Sequence, residues 1–263
     1  MSFTFSEQHL TSFYHHGYTV FRGILPSSLV RDLRRVTDQT RQMAWEEHGP
    51  QAQRLQPMER YGDRLDLQPF RDYLDLPELV DAIHQTLSPD HTMGGLHWLG
   101  VLNEPKERPH CTSWHRDITV QSPGLDPEEF RRLDVQPTFF CQINCALYTD
   151  TDLWYVAGSA GRPNTPSEAQ AAENKPNTEG LSNEEAERVN YGYCQGMPGA
   201  SQLLLEAGDF ALYRPTGWHI GNYVPYRKRA TLHDGVWTPV ARQWVTDWFD
   251  RMRKLQEEKQ KTE

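Results

Sequence analysis

The feature that most constrains the fold is a change of residue pattern after position 93. From Gly94 onward, short runs of aromatic and β-branched residues are separated by turn-forming Pro, Gly, Asn and Asp. We place predicted strands at residues 96–102, 114–120, 138–147, 153–156, 201–205, 210–213 and 229–236. Short strands recurring in this way predict an all-β sandwich or barrel.

Before this change, the chain has the apolar spacing of helices. In the helix predicted to open at Pro26, for example, Leu29, Leu33 and Val36 recur at helical spacing. We therefore predict one domain over residues 1–263: a mainly helical part (1–93), a β core (94–240) and a C-terminal helix (241–263). Residues 163–199 hold few large apolar side chains, so they predict a surface insertion, partly helical near 183–189 and mobile.

Composition excludes several classes of partner. The net charge of −9 argues against nucleic-acid binding, which depends on Lys and Arg neutralising phosphates. No run approaches the ~20 apolar residues of a membrane span, and the N-terminus lacks the pattern of a secretory signal. We expect a cytoplasmic protein with no membrane partner, and its oligomeric state stays open. The four cysteines form no CxxC pair and are interpreted as reduced thiols without a chemical role.

A histidine and an aspartate stand two residues apart in the predicted strand 114–120. In a strand, His115 and Asp117 would lie on the same face and could bind one metal ion. Downstream, a turn and a strand lead to a loop that carries His219. Two imidazoles and one carboxylate form the facial triad of non-haem iron(II) oxygenases, which leaves coordination positions open. The alternative is a pair of hydrogen-bonded structural histidines.

An arginine that could anchor a co-substrate follows this pattern. A 2-oxoglutarate that chelates the metal requires a fixed cation for its distal carboxylate. Arg229 lies ten residues after His219 on the next predicted strand. Arg227, two residues earlier on the same predicted face, is the competing candidate. Alternatively, either arginine is a surface cation without a ligand.

Most of the chain resembles the phytanoyl-CoA dioxygenase family. The resemblance includes the opening segment 13–25, the Asn103-Glu104-Pro105 segment, the His-Arg-Asp element and Arg-Ala-Thr-Leu at 229–232. Three features depart from the family pattern, and one of them is the spacing from His219 to Arg229, which is one residue shorter than in the family. Segment 156–160 reads Val-Ala-Gly-Ser-Ala where the family has Pro-Gly-Ser-His, and Gly221 stands where a small hydroxyl residue often helps to hold the co-substrate.

The resemblance implies a mainly β fold with flanking helices, the double-stranded β-helix or cupin-like jelly roll. It also implies a dioxygenase that uses Fe(II), 2-oxoglutarate and O2, hydroxylates an unactivated C–H bond of a small-molecule metabolite, and releases succinate and CO2. Halogenating relatives replace the carboxylate ligand with a small residue, so Asp117 favours hydroxylation. The implied residues are, for the metal and catalysis, His115, Asp117 and His219, and for the co-substrate, Arg229, Gln142 and Asn144.

Several alternatives remain open at this point. Desaturation, epimerisation or ring formation would use the same ligands. A cupin-like protein could hold a metal or small ligand without turnover, and another metalloenzyme of this barrel would not use 2-oxoglutarate or need Arg229. Arg54, Arg60 and Arg64 lie where such folds can cover the barrel mouth, and are either solvated or in contact with an anionic substrate. Trp98 is either a core residue or part of a pocket wall.

Overall fold

The computed structural model describes residues 3–262, with side chains to residue 258, so predictions for residues 1, 2 and 263 lie outside the described residues. The helices are α1 (Glu7–His16), α2 (Ser27–His48), α3 (Gln68–Leu74), α4 (Pro77–Thr86), α5 (Pro127–Asp134), α6 (Pro166–Glu173), α7 (Asn183–Gln195), α8 (Pro239–Thr262) and a 3-10 turn (Met58–Tyr61). The strands are β1 (Tyr18–Phe21), β2 (Arg54–Leu55), β3 (Thr92–Met93), β4 (Gly100–Asn103), β5 (His110–Cys111), β6 (Cys141–Ala146), β7 (Leu153–Val156), β8 (Ala200–Gln202), β9 (Phe210–Tyr213), β10 (His219–Tyr223) and β11 (Ala230–Trp237). Among the described residues, no helix combines the length and apolar character needed to cross a membrane.

The strands form two antiparallel sheets. The larger has seven strands, in the order β1-β9-β6-β11-β4-β2 with β3 paired to β11, and the smaller has four, in the order β5-β10-β7-β8. This mostly antiparallel arrangement with flanking helices is a double-stranded β-helix, which confirms the predicted jelly-roll fold.

The central strand β11 shows why the chain folds in this way. All eight of its residues are buried, because one of its faces meets the helical N-terminal part and the other faces the barrel interior. Leu232 packs in one hydrophobic cluster with Leu33 and Val36 of α2. Alternation then directs Thr231 and His233 to the opposite, interior face.

Two predictions about the metal-binding segments are wrong in secondary structure. Residues 114–120 form no strand, and within them only His115 makes a bridge, to His219. The N–H groups of His115 and Asp117 instead donate to the carbonyls of His219 and Pro215, at 3.1 and 3.0 Å. Conversely, His219 opens strand β10, although Gly and Asn within it have low strand propensity, because pairing with β7 and β5 overrides local preference.

The insertion 163–199 lies outside both sheets and forms α6 and α7. The second helix is longer than predicted and is anchored, since Tyr193 and Cys194 are buried in a cluster with Trp154 and Trp218 of the smaller sheet and its loop. Residues 174–182, which connect the two helices, are mostly exposed, and the mobility of the insertion stays a prediction.

Candidate metal centre

Three side chains converge where the smaller sheet meets the irregular segment 114–120. The Nε2 atoms of His115 and His219 lie 3.5 and 3.4 Å from Oδ1 of Asp117. The ligand atoms of all three lie within 4.8 Å of one another, and the two imidazole centroids are 4.3 Å apart. The bridge between His115 and His219 sets this geometry, although the predicted strand is absent.

Both imidazoles are held in the form that binds a metal through Nε2. Nδ1 of His115 donates to the carbonyl of Ser113 at 2.7 Å, and Nδ1 of His219 donates to the carbonyl of Gly217 at 2.9 Å. A proton on Nδ1 leaves the Nε2 lone pair free. Burial and the neighbouring His219 also lower the pKa of His115, which favours the neutral ligand form.

The carboxylate of Asp117 is oriented from the larger sheet. Gln142 Nε2 donates to Oδ2 of Asp117, and Gln142 Oε1 accepts a 3.0 Å hydrogen bond from the hydroxyl of Tyr213. Burial acts to raise the pKa of Asp117, but the adjacent His219 and the other nearby histidines lower it to about 2. The group is therefore an ionised ligand at neutral pH. Both amide atoms of Gln142 are thus engaged within the protein, Nε2 by Asp117 and Oε1 by Tyr213, and its contact with the co-substrate stays a prediction.

A cavity of about 960 Å³ opens beside these ligands and is also lined by Arg229. Its interior face carries Asn144, whose Oδ1 lies 2.9 Å from Nδ1 of His233. The donor set of two imidazoles and one carboxylate fits a divalent iron site with open positions. The cavity thus joins the ligands to the arginine that sequence analysis singled out.

Arg229 has internal partners that sequence analysis missed. Its guanidinium is buried, and Nε lies 2.9 Å from Oδ2 of Asp150 and 3.2 Å from Oδ2 of Asp152. Burial disfavours the charged form, but the two carboxylates raise the pKa of Arg229 above its usual value. Within the described residues, Nη1 is buried without a hydrogen-bond partner. One edge of the guanidinium is therefore bound by the protein, while Nη1 lacks an acceptor.

The two carboxylates differ in protonation. Burial and the charge of Asp150 raise the pKa of Asp152 to about 7. Burial also acts to raise the pKa of Asp150, but the charge of Arg229 lowers it below its usual value. Around neutral pH, the positive charge of Arg229 is thus opposed by the full negative charge of Asp150 and a partial negative charge on Asp152. The Asp-Thr-Asp sequence before β7 was the available signal for this pair.

The competing arginine lies in a different place. Arg227 precedes β11, donates to the hydroxyl of Thr151, and lines a separate groove with α7. It is absent from the described residues that line the metal cavity. The expectation that both arginines share one strand face is wrong, because β11 begins at Ala230.

The departure from the family pattern at Gly221 has a local explanation. A Cβ atom at Gly221 would lie 2.1 Å from the hydroxyl oxygen of Tyr223, so that hydroxyl fills the space of a side chain at 221. The ring of Tyr223 also lies 4.8 Å from the Arg229 guanidinium carbon. Ser159, which segment 156–160 retains, accepts a 2.8 Å hydrogen bond from the N–H of Trp218. This bond fixes the backbone of Trp218, the residue directly before His219.

Comparison with known proteins gives structural matches only. No protein-family model and no curated protein sequence matches this chain. AviO1 from Streptomyces viridochromogenes Tue57 is similar in structure, with a TM-score of 0.59, 15% identity, and coverage of 90% of this chain and 97% of that chain. HygX from Streptomyces hygroscopicus, solved with nickel and 2-oxoglutarate, matches with a TM-score of 0.58 and 17% identity over 90% of this chain and 88% of its own.

A third match is SnoN, an alpha-ketoglutarate-dependent non-heme epimerase from nogalamycin biosynthesis. Its TM-score is 0.55 at 14% identity, with coverage of 88% of this chain and 82% of that chain. At such identities the matches show the fold and nothing finer. The chain therefore shares the jelly-roll fold of these non-heme enzymes.

Proposed function

We propose that this protein is an Fe(II)- and 2-oxoglutarate-dependent dioxygenase that hydroxylates an unactivated C–H bond of a small-molecule metabolite, with release of succinate and CO2. The observation that carries this proposal is one cavity with a His-Asp-His ligand set and a buried arginine whose Nη1 has no partner among the described residues. A buried unsatisfied donor is costly, so a bound acceptor would stabilise it.

His115, Asp117 and His219 would hold the iron, which with 2-oxoglutarate and O2 supplies the oxidising power. Gln142 would keep Asp117 in its ligating orientation, since it bonds the oxygen that points away from the histidines. Asn144 lies on the same interior face and is assigned to the co-substrate end of the cavity.

Arg229 would bind the distal carboxylate of 2-oxoglutarate through its Nη atoms, because Nε is already engaged by Asp150 and Asp152. The hydroxyl of Tyr223 would be a second donor, since it occupies the space beside Gly221 where the family often has a hydroxyl. A proton on Asp152 would limit the negative charge that accumulates when this carboxylate binds.

A second candidate keeps the same ligands but changes the outcome at the substrate. Solved structures with this fold include an alpha-ketoglutarate-dependent epimerase and a carbocyclase, SnoN and SnoK. Stereochemical inversion or ring closure is therefore the alternative reaction class. Asp117 supports hydroxylation over halogenation, since its carboxylate occupies the ligand position that chloride takes in halogenating relatives.

Metal-dependent binding of 2-oxoglutarate tests the proposal without knowledge of the substrate. Calorimetry should show that 2-oxoglutarate binds the Ni(II)-loaded protein and binds the metal-free protein far more weakly, and that His115→Ala loses this difference. With Fe(II) and O2, the wild-type protein should also form succinate slowly in the absence of substrate. Equal 2-oxoglutarate affinity with and without metal would contradict the co-substrate role and favour a binding protein or another metalloenzyme.

A further inference from the structure

We propose that Arg54 binds a carboxylate of the substrate, whose apolar body lies against an aromatic wall formed by Trp98, Phe140, Trp237 and Phe249. This inference rests on the proposed function and names its substrate class: a small acid with an apolar body. It does not depend on the identity of the bond that reacts.

Arg54 is exposed to solvent, and the register of its strand directs it toward the cavity rather than toward the helical layer. In β2, Arg54 pairs with Leu102 and Leu55 pairs with Val101. Leu55 is fully buried in the cluster that contains the α2 side chains. Since neighbouring residues of a strand point to opposite faces, Arg54 is directed into the cavity, which it lines together with the metal ligands.

The charge of Arg54 is unmatched. Within the described side chains, it forms no ion pair and no side-chain hydrogen bond, whereas Arg60 lies over the ring of Tyr61 and Arg64 donates to Glu47 at 2.7 Å. Arg54 is also close enough to the candidate metal centre to change the pKa of a histidine in the same cavity. Burial and the charge of Arg54 together lower the pKa of the cavity residue His233 to about 3.

Neither carboxylate that lines the described cavity forms an ion pair with Arg54. Asp117 contacts His115 and His219, and Asp234 accepts a 2.7 Å hydrogen bond at Oδ1 from the N–H of Gly235. The second arginine of the cavity, Arg229, is already balanced by its own pair of carboxylates. An unpaired cation in a concave site attracts an anion, and a guanidinium matches a carboxylate through two parallel hydrogen bonds.

The aromatic wall indicates the rest of the ligand. Trp98 packs against Trp237 with centroids 5.1 Å apart, and Phe140 lies 5.8 Å from Trp237. Phe249, on α8, lies 6.2 Å from Trp98 and is 45% exposed, although it is a large apolar side chain. All four rings line the same cavity as Arg54. An acid with an aryl or alkyl body would cover this wall while its carboxylate meets the guanidinium.

The test compares an acid with its uncharged analogue. Calorimetry on Ni(II)-loaded protein saturated with 2-oxoglutarate would measure binding of 4-phenylbutyrate and 4-phenylbutyramide, and of octanoate and octanamide. The wild-type protein should prefer the acid by about tenfold, as expected for one charged hydrogen-bonded pair near solvent. Arg54→Gln should reduce the preference to about one, and Arg54→Lys should retain part of it. Arg60→Gln is the matched control, and unchanged melting temperatures would verify folding.

Repeating the titrations on metal-free protein separates this inference from the proposed function, because the preference for acid should persist without metal. Failure of 2-oxoglutarate to bind the wild-type Ni(II) protein contradicts the proposed function alone. If Arg54→Gln weakens 2-oxoglutarate and leaves the acid probes unchanged, Arg54 serves the co-substrate and the inference is wrong. A wild-type protein that binds neither probe pair, or does not distinguish acid from amide, also overturns it.

Discussion

Replacing Arg229 with lysine tests the part of the site on which the co-substrate assignment depends. The guanidinium presents Nε to Asp150 and Asp152 at 2.9 and 3.2 Å, and still has Nη atoms for a ligand. A lysine ammonium could keep an ion pair with Asp150, but it lacks the planar fork that would bind a second carboxylate at the same time. We therefore expect Arg229→Lys to lose co-substrate affinity while much of the buried ion pair remains.

The expected magnitudes follow from these contacts. Loss of a hydrogen bond to a charged group costs about 1.5–3 kcal/mol, so the affinity of the Ni(II)-loaded protein for 2-oxoglutarate should fall by roughly 10- to 150-fold. Arg229→Gln should also destabilise the fold by about 3–5 kcal/mol, because it leaves the carboxylate of Asp150 buried without its cation. Arg229→Lys should destabilise the fold less than Arg229→Gln.

Calorimetry gives the affinity, and urea unfolding gives the free energy of unfolding. Arg227→Lys is the matched control, since this arginine lines a separate groove and should leave 2-oxoglutarate affinity unchanged. The reasoning is refuted if Arg227→Lys weakens 2-oxoglutarate while Arg229→Lys does not.

Three further predictions concern protonation, metal affinity and the insertion. The pKa of Asp152 is raised from its usual 3.8 to about 7, so the folded protein binds this proton more tightly and loses that contribution to stability as pH rises from about 4 to above 7. Asp152→Asn should therefore reduce the fall in the free energy of unfolding between pH 5 and pH 8, whereas an identical fall in both proteins would contradict the pKa shift. Gln142→Leu removes the hydrogen bond to Asp117 and should lower Ni(II) affinity by about 10- to 100-fold, and unchanged affinity in a metal titration would count against this support. Brief digestion with endoproteinase Glu-C should cut first at the exposed Glu179, between α6 and α7, and a first cut elsewhere would show that this connection is not the most mobile part of the chain.

The local sequence was sufficient to predict strands whose bounds depend on local residue preferences. Strands β7 and β9 have the predicted bounds, because each is a run of strand-forming residues with every residue buried. The grouping of His115, Asp117 and His219 was also predicted from the sequence, although the strand invoked for the first pair is absent and a bridge between His115 and His219 brings the three together instead.

Tertiary structure alone decided the roles of the partners. Asp150 and Arg229 lie 79 positions apart, and Gln142 and Asp117 lie 25 apart, so the tertiary packing rather than the spacing in the chain brings each pair together. The same holds for Arg54, whose direction follows from the register of β2 against β4. A strand of two residues is too short for this pairing to be predicted from the sequence. Sequence by itself determined which residue types could bind a metal and an acid. The packing of two sheets decided which charges meet a protein partner and which face the cavity, because burial and long-range pairing depend on the whole fold.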